Sequence, residues 1–150
     1  MGSETAPSRR RQTALAVIDS YNKWSMEAIM GLRTEDCIQQ ILPKSLGRPA
    51  MDNAAYEAWF GSVMPHFKNL TVTVDDIIED PGENKVAIWA HSSASTEVGP
   101  YNGEYVLILY MNEGGDKITK LLEFVDSSHS VTFFPKLLEH LAQKANATGE

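Results

Sequence analysis

Gly103-Glu-Tyr-Val-Leu-Ile-Leu-Tyr-Met111 and Lys117-Ile-Thr-Lys-Leu-Leu-Glu-Phe-Val-Asp126, joined by Asn112-Glu-Gly-Gly-Asp116, read as two β-strands and a turn. The first strand is apolar in both registers, with Tyr105, Leu107 and Leu109 on one side and Val106, Ile108 and Tyr110 on the other. A sheet patterned this way is buried on both faces and needs two covers. Helices supply one, and a second copy of the chain is the natural other, so a homodimer is expected. The second strand carries Glu123 between Leu122 and Phe124. A carboxylate in an apolar run is costly to bury unless it is paired or keeps its proton. Glu123 is therefore either at a sheet edge, or the partner of an Arg or Lys, or a general acid or base with a pKa raised by desolvation.

Working outward, Lys85 to Ser95 and Phe67 to Glu79 read as two further strands, the latter alternating around Leu70, Val72 and Val74. Asp80-Pro-Gly-Glu-Asn84 is a turn, and Val98 to Gly103 links the third strand to the fourth. Before this meander, Leu15, Val17, Ile18, Tyr21 and Trp24 recur at helical spacing, predicting a helix over about 9–24. Ser25 caps a short second helix ending near Gly31, and Asp36 to Leu42 reads as an early strand stopped by Pro43. Asp52 or Asn53 caps a third helix over about 53–66, with Tyr56, Trp59, Phe60 and Val63 on its buried side. A last helix is expected over about 130–143. Helices segregate from strands, so the class is α+β. The segments 1–8 and 145–150 are expected to be disordered tails around a single domain over 9–144.

At 150 residues, one domain with a real core is expected. A net charge of -7 argues against a nucleic-acid partner, and Arg9-Arg10-Arg11 reads as a solvated helix start. The lone Cys37 permits no intrachain disulfide and is expected to be buried as a small apolar residue. Met1 to Ser8 lacks the apolar core of a signal peptide, and no apolar run approaches the roughly 18 residues of a membrane span. The cytoplasm is the expected setting, with no membrane partner. The four histidines are scattered without metal-ligand spacing, so no metal is expected. No nucleophile elbow, phosphate loop or dinucleotide fingerprint occurs, so no cofactor is expected.

Tyr21-Asn-Lys-Trp24, Glu27-Ala-Ile-Met30, Arg33, Cys37, Ile41-Leu-Pro43 and Leu46-Gly47 stand in order along the first third of the chain. Val86-Ala-Ile-Trp89, Gly99-Pro-Tyr101, Glu104-Tyr105 and Glu123-Phe-Val-Asp-Ser127 follow them. Together they resemble the SnoaL-like branch of the nuclear-transport-factor-2-like (NTF2-like) fold. The resemblance is to small fungal isomerases and cyclases of polyketide and meroterpenoid pathways, and it covers about Arg10 to Leu141. It implies a curved antiparallel sheet wrapped as a cone around an apolar pocket, packed on N-terminal helices and closed by a C-terminal helix. In that fold's usual register Leu121, Glu123 and Val125 point into the cone, as do Tyr105 and Leu107.

Four residues are candidates for chemistry. Glu123 and His66 are acid–base groups; His66 is expected at the pocket mouth, though a helix-terminal histidine is also favoured by the dipole. Tyr105 could hold an enolate or carbonyl oxygen. Arg33 either clamps substrate or pairs with Glu123 or Asp126. These options bear oppositely on Glu123, since an arginine contact keeps it ionised and an apolar pocket keeps it protonated. The expected substrate-binding wall comprises Tyr21, Trp24, Gln39, Trp59, Phe67, Trp89 and Leu107. His91, sharing parity with Trp89, lies in the pocket or on the dimer face. His129 and His140 are read as surface residues, and Asp126-Ser127-Ser128 as a cap or turn.

The resemblance then implies a cofactor-independent isomerase or cyclase acting by acid–base catalysis on a polyketide or meroterpenoid intermediate. A dehydratase of the same fold is the enzymatic alternative. A ligand-binding or dimerisation module is the non-enzymatic one, although it leaves Glu123 in an apolar strand without a purpose.

Overall fold

The computed structural model describes residues 6–148. The elements run α1 (Arg9–Asn22), α2 (Met26–Met30), β1 (Arg33–Leu42), α3 (Asn53–Val63), β2 (Lys68–Asp80), β3 (Lys85–Thr96), β4 (Gly99–Met111), β5 (Ile118–Val125) and α4 (Ser127–Ala147). Single 3-10 turns occupy Lys44–Leu46 and Met64–His66. The helix starts follow from their caps. Ser8 Oγ accepts from the Arg11 amide, Ser25 Oγ from Ala28, Asp52 Oδ1 from Ala55 and Asp126 Oδ1 from His129.

Several boundaries differ from the sequence reading. Ser8 caps α1 although it falls in the segment expected as a tail; residues 1–5 and 149–150 of the two expected tails lie outside the described residues. Helix α1 stops at Asn22 because Trp24 takes a φ of 52°, a left-handed conformation that a bulky side chain adopts only when held. Its indole Nε1 donates to the Met64 carbonyl at 3.1 Å, which supplies the hold. The Asp126 cap starts α4 at Ser127 rather than 130, and the helix continues to Ala147, past the expected domain boundary at 144.

The five strands form one sheet in the order β1-β5-β4-β3-β2. The last four make the expected antiparallel meander. The sheet is nevertheless mixed, because β1 docks parallel to β5, with Gln39 beside Leu121 and Ile41 beside Glu123. A register shift between Val74 and Asp76 marks an irregularity in β2, a feature that bends and twists a strand.

Cross-strand partners fix the faces. Leu107 pairs with Ile88 and Glu123, and Tyr105 pairs with Ala90 and Val125, so all of these share one face. That face is covered by α1 through Ala14, Val17 and Ile18, forming a core with Val86, Ile88, Leu109 and Leu121. Burying each of the larger aliphatic side chains contributes roughly 1.5–3 kcal/mol. A second cluster joins Val63, Phe67, Ala94 and Tyr101 to Phe133 and Leu137 of α4. The result is the α+β cone with an NTF2-like fold, and its interior lies between these two clusters. No helix among the described residues is long and apolar enough to cross a membrane.

Candidate active site

Members of both clusters line a cavity of about 110 Å3, on the scale of one six-membered ring. Ile18, Leu107, Leu121 and Val63 give it apolar walls, and Trp24, Trp59, Phe60 and Phe67 give it aromatic ones. Few polar groups reach it: Glu123, Ser92 and four tyrosines, Tyr21, Tyr56, Tyr101 and Tyr105. Apolar walls with a small number of convergent polar groups are the usual build of a small-molecule site.

Glu123 comes from β5 opposite Leu107, so strand pairing alone aims it inward. Its carboxyl forms no ion pair among the described residues. Gln39 Nε2 donates to Glu123 Oε1 at 3.3 Å, and the Gln39 side-chain carbonyl accepts from the Arg33 guanidinium. Arg33 also lies over the Tyr56 ring, 4.1 Å from its centroid. The arginine thus acts on the carboxyl through an amide rather than by contact. Burial pushes Glu123 up to about 7, while Arg33 and then Arg48 draw it partly back. The direct pairing of Arg33 with Glu123 or Asp126 is not formed, and desolvation outweighs the nearby charge. Arg33→Met therefore moves the titration midpoint of Glu123 upward from about 7, an outcome checked by carbon-detected NMR titration of the side-chain carboxyl. An unchanged midpoint would show that the buried charge is not felt there.

The hydroxyls form two groups. Tyr105 OH is 2.5 Å from Ser92 Oγ and 2.8 Å from Tyr101 OH. Tyr21 OH is 2.6 Å from Tyr56 OH. Burial pushes Tyr105 up to about 12, against the opposing pull of its Ser92 and Tyr101 hydrogen bonds. Burial also raises Tyr101, Tyr21 and Tyr56. All four phenols stay protonated at neutral pH and remain donors. Gly103 makes this packing possible, since a Cβ there would collide with the Tyr105 and Tyr101 hydroxyls.

Of the residues expected in the site, Glu123, Tyr105, Tyr21, Trp24, Trp59, Phe67 and Leu107 line the cavity. Arg33 and Gln39 are buried behind Glu123, supporting it rather than forming the wall. Three expected positions fall elsewhere. His66 sits in the 3-10 turn and is not part of the lining, because its neighbour Phe67 takes the inward place. Trp89 is on the outer sheet face, 49% exposed, with its Nε1 donating to Glu104 Oε2 at 2.8 Å. His91 is on that face too, its Nδ1 2.7 Å from Asp75 Oδ2.

The sequence reading overlooked Tyr101 and Ser92, although Tyr101 shares strand parity with Tyr105. It also placed His129 on the surface. The His129 ring instead packs at 5.6 Å on Phe133 and 5.1 Å on Tyr101, bordering a second, smaller chamber. His140 does lie outward, with its Nε2 2.8 Å from Glu97. Among the described residues no group of three or more His, Cys, Asp or Glu is gathered as a metal site. Cys37 is free and fully buried.

No protein-family model matches the chain. Among curated proteins, "Monooxygenase nsrQ" of Aspergillus novofumigatus is 31% identical over 132 residues, spanning 88% of this chain and 87% of its own. "Core atranone cluster (CAC) protein 11" of Stachybotrys chlorohalonatus is 32% identical over 128 residues, spanning 85% of this chain and 96% of its own. Among solved structures, BvnE pinacolase from Penicillium brevicompactum superposes with a TM-score of 0.83 at 26% identity, over 89% of this chain and 96% of that one.

Proposed function

This chain belongs to the SnoaL-like, NTF2-like family of fungal secondary-metabolite cluster proteins, and from that premise we propose that it is an isomerase or cyclase acting by acid–base catalysis on a polyketide or meroterpenoid intermediate. One observation carries the reading: a carboxyl group with a pKa of about 7 sits in an apolar cavity beside phenols that remain donors. A group titrating near the working pH is suited both to take and to return a proton.

The steps follow from that placement. The Glu123 carboxylate removes a proton from a carbon next to a carbonyl of the substrate. The C–H electron pair moves toward the carbonyl oxygen, which Tyr105 and Tyr101 receive through their hydroxyls. The protonated Glu123 then delivers the same proton to another carbon or oxygen of the substrate. In a cyclisation, the enolate carbon attacks an electrophilic carbon of the same molecule, and Glu123 protonates the oxygen that is released. Atoms are conserved in both cases. Trp24, Trp59 and Phe67 hold the reacting ring in one conformer. His66, outside the cavity lining, has no part in this scheme.

The name pinacolase, carried by BvnE, denotes a rearrangement and supports this class. The name monooxygenase, carried by nsrQ, supports a second reading in which an oxygen atom enters the substrate. Mass spectrometry of the product separates them. Isomerisation leaves the mass unchanged, dehydration removes one water, and oxygenation adds one oxygen with consumption of O2. A product of altered mass would overturn the isomerase reading.

The outer sheet face supports a homodimer. Trp89, Val106 and Phe124 are direct cross-strand neighbours on β3, β4 and β5, and they are 49%, 39% and 47% exposed. A contiguous apolar row of this kind on a sheet is suited to a second copy of itself. Val106→Glu places a carboxylate at its centre, and sedimentation velocity is expected to find the wild type dimeric and the variant monomeric. A wild type that sediments as a monomer would reject the dimer. The buried thiol of Cys37 suits a reducing compartment, in keeping with the cytoplasm.

A further inference from the structure

The smaller chamber adjoins the catalytic cavity and shares Glu123, Tyr101, Tyr105, Trp59 and Phe134 with it. Its volume is about 40 Å3. A single water needs about 10–15 Å3 by the same measure. The chamber therefore admits a group of two or three heavy atoms and excludes a ring. One molecule can span both spaces, with its ring in the larger and a small polar substituent in the smaller.

Two polar side chains without a protein partner line the chamber, one half-buried and one with a fully buried nitrogen. Arg48 lines it and makes no hydrogen bond or ion pair with the described residues. Its guanidinium lies over two rings, 5.7 Å from the Trp59 centroid and 5.8 Å from that of Phe134. His129 also lines it, and its Nε2 is buried without a partner. Buried polar groups are almost always hydrogen-bonded, so a lone one calls for a missing partner.

Acidic residues also face this space, and each is already engaged. Glu104 accepts from the Trp89 indole at 2.8 Å. Asp126 accepts from the first turn of α4 through His129 N at 3.3 Å. Glu123, with its pKa raised to about 7, is only partly ionised at neutral pH. The side-chain donors left free are those of Arg48, His129 and the Ser130 hydroxyl.

We infer that the small chamber is a subsite for a planar anionic pair of substrate oxygens, a carboxylate or the ionised form of a 1,3-dicarbonyl, bound by Arg48 and by the Nε2 side of His129. The guanidinium fork matches two oxygens in a plane, and the Trp59 and Phe134 rings lie within cation–π range of it. The inference rests on the isomerase reading for the site and adds the substrate class: a ring bearing an acidic oxygen function beside the carbon that loses its proton. Binding there fixes which carbon faces Glu123.

The test needs no turnover. Benzoate and benzyl alcohol present the same ring with and without the anion, and binding of each is titrated by NMR at neutral pH. Wild-type protein is expected to prefer benzoate by about tenfold or more, the usual worth of a charge-assisted contact. Arg48→Met is expected to erase that preference while retaining benzyl alcohol binding. Arg48→Lys retains part of it, and His129→Leu reduces it. Equal affinities in the wild type, or an unchanged preference in Arg48→Met, would overturn the subsite. Glu123→Gln keeps the benzoate preference although it abolishes the proposed chemistry. Loss of the subsite and loss of the isomerase reading are therefore told apart.

Discussion

Glu123→Gln is expected to lower turnover by about 10²- to 10⁴-fold, the range that a positioned acid–base group contributes, while the protein stays folded. The amide is isosteric with the protonated carboxyl, and it can still accept from Gln39 Nε2, which stands 3.3 Å from Glu123 Oε1. What it cannot do is exchange a proton. The loss therefore falls in kcat, with KM little changed, because the ring still meets the same aromatic walls. The wild-type pH–rate profile carries an inflection near 7 from this group, and Glu123→Gln abolishes it. Turnover of the pathway intermediate by purified protein, followed as product over pH, is the measurement. Full activity in a folded Glu123→Gln protein would remove this residue from the mechanism. The same outcome would strengthen the reading suggested by the monooxygenase name of nsrQ.

The strand pattern of the sequence carried most of this, and its failures have physical causes. The alternation of Tyr105, Leu107 and Leu109 against Val106, Ile108 and Tyr110 placed the 103–111 part of β4, because period two is a local property, but the stretch expected as a link is already strand from Gly99. The parallel docking of β1 on β5 left no trace, since a parallel pair is joined by a long connection and has no turn residues of its own. Side-chain size misled on β3. The residues that face inward are Val86, Ile88, Ala90 and Ser92, while the larger Trp89 and His91 face out. An inner face must stay small where a cavity is to remain open, so the large aromatic went to the other side. Ser92 was therefore overlooked and Trp89 was overvalued.

The arrangement around Glu123 was harder to read because it depends on three separate segments. Arg33 and Gln39 lie on one strand but on either side of a register shift, so alternation does not relate their side chains, and only the fold brings them together behind β5. The sequence posed the alternative of a charged or a protonated Glu123; in the fold an amide stands between Arg33 and the carboxyl, and desolvation brings its pKa to about 7, between the two. His129 was misread for a different reason. Its Ser-rich surroundings resemble a solvated turn, but the Asp126 cap draws them into the first turn of α4 and turns the ring onto Phe133 and Tyr101. A cap three residues before an apolar helix was the available signal.

Between pH 4.5 and 7, wild-type stability is expected to fall by about 3 kcal/mol relative to Glu123→Gln. The carboxyl has an ordinary value of 4.5 in the unfolded chain and about 7 in the folded one, a difference worth roughly 3 kcal/mol by proton linkage. The sign follows from which state holds the proton more tightly, and here it is the folded one. Below about 4.5 both states are protonated, and no penalty arises. Through the interval the unfolded chain has released its proton and the folded protein retains it, so rising pH favours unfolding. Above about 7 both are ionised, and the full cost of a buried charge is in place. Most paired carboxylates behave in the opposite way and stabilise as pH rises. Taking the difference between wild type and Glu123→Gln cancels those shared contributions. Urea unfolding of both proteins at a series of pH values measures it directly. A difference that stays flat across this interval would mean that Glu123 ionises in the fold as it does in the unfolded chain, and the near-neutral pKa on which the acid–base scheme rests would be lost.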